Sequence, residues 1–138
     1  MRTAIDTNVL SSLLSHEPTA AELAEVLREL QAAGGLAVCA VVYAELCAHP
    51  QSSPVFIDQF LETTHIWVDF LLGEDVWRLA ADAFSTYSEK RRKSAGTYPR
   101  RLLADFIVGA HALLRADRLL TLDKTLYRQA FPKLKLLS

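Results

Sequence analysis

Four acidic side chains stand out by what surrounds them. Asp6 closes the short apolar run Thr3-Ala-Ile5 and is followed by Thr7 and Asn8; Asp123 closes a second such run, Arg118-Leu-Leu-Thr-Leu122. Glu45 is embedded in Val41-Val-Tyr-Ala-Glu-Leu46, and Asp105 in Leu102-Leu-Ala-Asp-Phe-Ile-Val108. An ionised carboxylate buried alone is very costly, so it must be paired, hydrogen-bonded or bound to a metal. Several carboxylates converging without a cluster of His or Cys describe a site for a hard cation. Oxygen ligands, retained waters and phosphate substrates are the chemistry of Mg²⁺ and Mn²⁺. Such an ion lowers the pKa of a bound water and stabilises charge that builds on a phosphodiester. Each acid also has a plainer reading. Asp6 and Asp105 can cap helices, Asp123 can sit in a turn or cap, and Glu45 can be an exposed helix residue. All four being plain together is a narrower case than any one alone.

The elements needed to position these acids can be read from the periodicity. Thr3 to Ile5 suits a strand. Thr19-Ala-Ala-Glu22 after Pro18 has the pattern of a capping box, and Leu23, Val26, Leu27 and Leu30 then repeat at helical spacing until Gly34-Gly35. Leu36 to Ala40 reads as a buried strand. Val41 to Ala48 can be helical up to Pro50, a further helix spans Pro54 to Glu62, and a strand spans His65 to Val68. Val76, Trp77, Ala80, Ala83, Phe84 and Tyr87 mark one face of a longer helix with a basic end, Lys90-Arg-Arg-Lys93. After a loop from Gly96 to Pro99, Phe106 to Leu114 suits a helix buried on most sides. Arg118 to Leu122 is a strand, and a short helix and a last strand near Lys135 to Leu137 follow. Strands alternating with helices imply an α/β fold with a mostly parallel sheet covered on both faces. In such a sheet all strand carboxyl ends share one edge, where open α/β sheets place their ligand crevice. Asp6 and Asp123 are therefore expected to meet in space if both strands are central.

The totals are those of a soluble globular chain. It has 138 residues, 51% hydrophobic and 22% charged, with a net charge of −1. The length suits one domain. The apolar runs fall well short of a membrane span, and the opening residues lack a signal-peptide pattern, so a cytoplasmic location is expected. Cys39 and Cys47 have no zinc spacing and read as two buried free thiols. The net charge gives no global attraction to nucleic acid but allows a local basic patch.

Four segments in order carry a family resemblance over essentially the whole chain: Ile5-Asp-Thr-Asn-Val-Leu10, Val42-Tyr-Ala-Glu-Leu46, Ala104-Asp-Phe-Ile-Val-Gly-Ala-His-Ala112 and Leu120-Thr-Leu-Asp123 with Tyr127 and Phe131-Pro132. With them the chain resembles PIN-domain ribonucleases, most closely the VapC-type toxins of bacterial toxin–antitoxin pairs. The resemblance implies a single PIN domain over residues 1–138, a three-layer sandwich with a mostly parallel sheet of about five strands flanked by helices. It implies an acidic quartet of Asp6, Glu45, Asp105 and Asp123 holding Mg²⁺ or Mn²⁺. Asp6 and Asp105 would be the main ligands, and Glu45 and Asp123 would act directly or through water. Asn8 and Thr121 would orient the ligands. The implied reaction is hydrolysis of an RNA phosphodiester, with no need for His65 or His111; His111 reads as a packed, hydrogen-bonded core residue. The implied partners are a second copy of the chain and a cognate antitoxin, whose segment would lie in an apolar groove built by Leu10, Leu13, Leu14 and the helix from Thr19 to Ala33.

Arg91, Arg92, Lys93, Arg100 and Arg101 are candidates to grip RNA phosphates, and Tyr98 to stack on a base. The plainer reading is a solvated helix end, where cations also favour the carboxyl-terminal dipole. Arg101, four residues before Asp105, is also a possible ion-pair partner for it. The rival from another class is a non-catalytic nucleic-acid-binding α/β module that uses only the basic patch.

Overall fold

Every residue of the first two strands is buried, which requires that both faces of the sheet be covered. The computed structural model describes residues 1–95 and 97–137; Gly96, the first residue of the expected loop, and Ser138 lie outside them. Within the described residues the strands are β1 (Thr3–Ile5), β2 (Leu36–Cys39), β3 (Ile66–Asp69), β4 (Arg118–Leu120) and β5 (Leu136–Leu137). The helices are α1 (Thr7–Leu14), α2 (Ala20–Gly34), α3 (Ala40–Cys47), α4 (Pro54–Thr63), α5 (Glu74–Lys93), α6 (Leu103–Arg115) and α7 (Lys124–Ala130). The strands form one sheet in the order β3-β2-β1-β4-β5, with every pairing parallel. This is the α/β architecture expected from the alternation of strands and helices.

The strand order reverses between β1 and β4. The chain runs outward from β1 through β2 to β3, then crosses back to lay β4 on the other side of β1. Ile5 stands opposite Leu120, so the two strands end level with each other. The crevice at such a switch point is where an open α/β sheet binds its ligand. Asp6 and Asp123 follow those two strands.

α6 carries Asp105 in its first turn and is buried from Phe106 through Ala112. Its anchoring is tight at Gly109, where an added Cβ would fall 2.3 Å from the Phe131 ring. Gly34, with φ +153°, ends α2 against the first residue; a Cβ there would fall 2.1 Å from the Met1 carbonyl oxygen.

Some local expectations need correction. Thr19 does not form the capping box: its backbone is helical, φ −85° and ψ 0°, rather than extended, and its hydroxyl caps nothing. Leu10 is fully buried in the core and so lines no groove, while Leu13 and Leu14 are partly buried against that core. Cys39 is buried but Cys47 only half-buried; both are free. His111 is a packed core residue as expected, its Nε2 donating to Asp69 Oδ2 at 3.1 Å.

Gly109→Ala forces the Cβ into the Phe131 ring and is expected to cost about 1–3 kcal/mol, as overpacking of a core does. A lower urea midpoint with an unchanged slope checks this.

Candidate functional site

Asp6 is the best buried of the four acids, at 6% exposure. It holds the N-cap position of α1, and its Oδ1 accepts the Thr7 amide at 2.8 Å. Its Oδ2 accepts two hydroxyls, from Thr121 at 2.8 Å and from Tyr127 at 2.9 Å. The capping reading therefore holds for this residue. Burial pushes the Asp6 carboxyl above its ordinary value. The hydrogen bonds from Thr121, Tyr127 and the Thr7 amide pull it down, and the charge of Asp105 pushes it up again. Tyr127 is itself driven up, first by burial and then by the Asp6 charge, which keeps its phenol protonated and able to donate.

Thr121 ties the two strand ends together. It donates to Asp6 Oδ2, and its oxygen accepts the Asp123 amide at 3.0 Å. Asn8 Oδ1 accepts the Leu122 amide at 3.2 Å, so it fastens the β4–α7 turn to α1 rather than touching an acid.

Asp105 is half-buried at the third position of α6. Its Oδ2 accepts the Leu102 amide at 3.3 Å, a long and weak cap. Burial raises its carboxyl; the Leu102 amide and Arg101 oppose this, and the Asp123 charge adds to it. Asp123 is partly exposed and paired with the Arg101 guanidinium at 2.6 Å. Arg101 thus chooses Asp123 over Asp105. The reason is that α6 begins only at Leu103, so Arg101 lies in the preceding loop and not one helical turn below Asp105. Glu45 is solvent-exposed on α3, which removes the burial argument made for it from its apolar neighbours. It still borders the site, because the Thr7 hydroxyl donates to its Oε1 at 2.6 Å.

Asp6, Asp105 and Asp123 therefore lie near enough to one another for their charges to interact, with Glu45 hydrogen-bonded to the residue beside Asp6. They are not a ready-made cage. Among the described residues, no group of three or more His, Cys, Asp or Glu side chains is positioned to hold one ion. The donor set is nonetheless that of a hard cation: carboxylates only, mutually repelling, one of them buried and fixed by hydroxyl donors.

The chain also matches a known family. A family model, PIN domain, matches residues 3–132. The chain belongs to the PIN domain family. Among curated protein sequences none matches it. Two solved structures share the fold. One is VapBC2 from Rickettsia felis bound to a DNA fragment from their promoter, with TM-score 0.67 and 18% identity over 99% of this chain and 98% of that one. The other is VapBC-1 from nontypeable Haemophilus influenzae, with TM-score 0.65 and 18% identity over 100% of this chain and 98% of that one.

The basic residues of this PIN domain are gathered as well. Arg91, Arg92, Arg100 and Arg101 line one groove of about 540 Å³, with Phe84 and Tyr87 among its walls. Lys93 is not among its walls and pairs with Glu89 at 3.0 Å. The Arg91 Nε is buried without a hydrogen-bond partner among the described residues. The Tyr87 hydroxyl donates to the Pro99 carbonyl at 2.5 Å and accepts the Arg101 amide at 2.6 Å, which pins the loop carrying Arg100 and Arg101. Sequence reasoning gave no role to Tyr127, Thr7 or Tyr87. Tyr127 falls one helical turn after Asp123, a visible spacing, but where its hydroxyl points depends on how α7 packs.

Asp6 and Asp105 both titrate above the ordinary aspartate value of 3.8. The folded chain then holds their protons more tightly than the unfolded one. Their contribution to stability is fully present below 3.8 and is lost as pH rises through the raised folded values. Asp105→Asn keeps the Leu102 cap and removes the charge. In chelator-treated protein, its melting temperature is expected to exceed that of the parent near neutral pH, and the gap to close toward about pH 4. A gap that does not change with pH contradicts the account.

Proposed function

We propose that this chain is a metal-dependent ribonuclease of the VapC type, with residues 1–138 acting as one PIN domain that hydrolyses RNA phosphodiester bonds. The observation that carries this reading is the buried Asp6 carboxylate at the sheet's switch point. It is held by Thr121 and Tyr127, within charge range of Asp105, beside a groove walled by four arginines.

In this reading Asp6 and Asp105 hold Mg²⁺, or Mn²⁺ in its place, and Asp123 and Glu45 act through water. Mg²⁺ keeps several waters and takes only one or two carboxylates in sites of this kind, so four acids that do not form a closed cage still fit it. Bound there, the cation makes water a better nucleophile and offsets charge building on the phosphodiester. The side chains do the rest. Thr121 and Tyr127 fix the rotamer of Asp6, and Asp123 and Glu45 accept hydrogen bonds from water and orient it. Arg91, Arg92, Arg100 and Arg101, the walls of the groove, hold the RNA backbone by its phosphates. The buried His111 is aimed at Asp69 and takes no part.

Partners follow the same reading. Both similar structures are VapBC complexes, which supports a cognate antitoxin for this chain. Leu102, Leu103 and Leu122 are exposed next to Asp105 and Asp123, an apolar collar suited to a protein segment that covers the acids. β3 is an outer strand of the sheet, and Trp67, Phe70 and Leu71 are exposed on or just after it. A homodimer would cover that edge. No helix among the described residues is long and apolar enough to cross a membrane; the proposed place of action is the cytoplasm.

Cleavage of RNA by the purified chain is expected to need Mg²⁺ or Mn²⁺, to stop on chelation, and to fall by about two orders of magnitude or more in Asp105→Asn with the fold retained. A non-catalytic binding module would instead bind RNA through chelation and through that substitution, without cutting it. Arg100→Gln is expected to weaken RNA binding for all sequences alike and to reduce the slope of log affinity against log salt by about 0.7–1.

A further inference from the structure

The arginine groove has a neighbour that the reading above does not use. A cavity of about 430 Å³ lies between α5 and α7, floored by Ala83, Phe106 and Leu126. Polar residues stand among its walls: Asp82, Thr86 and Lys90 along α5, Gln129 of α7, and Tyr98. A smaller hollow of about 310 Å³ adjoins it, sharing Tyr98, Leu126 and Gln129 with the cavity and Arg101 with the groove. Tyr87 is a wall of all three. The cavity, the hollow and the groove are therefore neighbours, and Arg101, a wall of the last two, is paired with Asp123.

We propose that this cavity takes a single unstacked base of the RNA strand, next to the phosphates held in the arginine groove, and that Asp82 makes it prefer bases with an exocyclic amino group. The inference rests on the ribonuclease reading and deepens it. Four features point to a base rather than to another occupant. The volume lies in the range of small-ligand pockets, and the walls are apolar with a few polar groups. Tyr98, at 37% exposure, offers a ring for stacking. The adjoining groove carries four arginines and so suits a chain whose charges are phosphates. Gln129 presents a donor and an acceptor together, the pattern a base edge answers.

Asp82 gives the preference its sign. An ionised carboxylate only accepts hydrogen bonds, and Asp82 is in no ion pair among the described residues. Cytosine offers it an amino group at the ring position where uracil carries a carbonyl. Those two bases are alike in size and stacking, so comparing them isolates the hydrogen bond. A uracil that turned its carbonyl at that position toward Asp82 would set two acceptors against each other.

The test is binding of short oligo(C) and oligo(U) to the full-length Asp105→Asn chain by fluorescence anisotropy at fixed salt and neutral pH. Oligo(C) is expected to bind about tenfold more tightly, the value of one charge-assisted hydrogen bond. Asp82→Asn should bring the two together, because an amide donates as well as accepts. Arg100→Gln should weaken both and leave their ratio intact. Asp82 and Gln129 are exposed, so substitutions there spare the core. Equal affinity for the two strands, or a preference that survives Asp82→Asn, overturns the base pocket while metal-dependent cleavage by the parent chain still stands. A parent chain that neither cleaves RNA with Mn²⁺ nor binds either strand overturns the ribonuclease reading, and the pocket with it.

Discussion

A carboxylate taken out of water at the end of a central strand is the constraint on which the rest of this structure depends. Asp6 is buried, and it sits where the strand order reverses. Left alone, such a charge would neutralise itself by taking up a proton. Three donors hold it instead: the first amide of α1, Thr121 from the end of β4, and Tyr127 from α7. Those donors come from both halves of the sheet. The hydrogen bonds that oppose the cost of burying Asp6 therefore also bring Asp123 alongside, through the Thr121 oxygen and the Asp123 amide.

The remaining charges are arranged around that fixed point. Asp105 enters from α6 and raises Asp6 by its charge, and Asp123 raises Asp105 in turn. Arg101 partly relieves this repulsion through its pair with Asp123 and its field at Asp105. The same residue is a wall of the arginine groove, so acidic and basic regions meet at one side chain. Tyr87 holds that junction in place by gripping the backbone on either side of Arg100. Its ring packs on Phe106, the residue after Asp105, with centroids 5.2 Å apart. Tyr87 thus touches both the basic loop and the helix that carries Asp105.

Much of this was legible in the sequence because it follows from topology. Two acids placed directly after apolar strands must share an edge if the sheet is parallel, and Asp6 and Asp123 do. Thr121 was named by the family resemblance rather than by topology, and its hydroxyl does reach Asp6. What the sequence did not disclose depends on orientation. Glu45 lies in an apolar stretch yet faces solvent, because α3 buries the face that carries Val42 and Leu46 and leaves Ala44 and Glu45 exposed. Arg101 was spaced for Asp105, but the helix starts two residues too late for that pairing. Thr19 has the right type and the right partner for a capping box, but its backbone is helical where a cap needs it extended. The direction of the Tyr127 hydroxyl and the α5–α7 cavity arise from packing between elements far apart in the chain, and no local pattern announces them.

The central claim is that the pocket around Asp6 is built for a divalent cation. It is tested most directly by titrating the full-length, metal-free chain with Mn²⁺ and following free Mn²⁺ by electron paramagnetic resonance, with no RNA present. The account predicts saturable binding that disappears in Asp6→Asn while circular dichroism and thermal melting show a folded chain. Binding that Asp6→Asn leaves unchanged, or no binding by the folded parent chain at millimolar Mn²⁺, would contradict it.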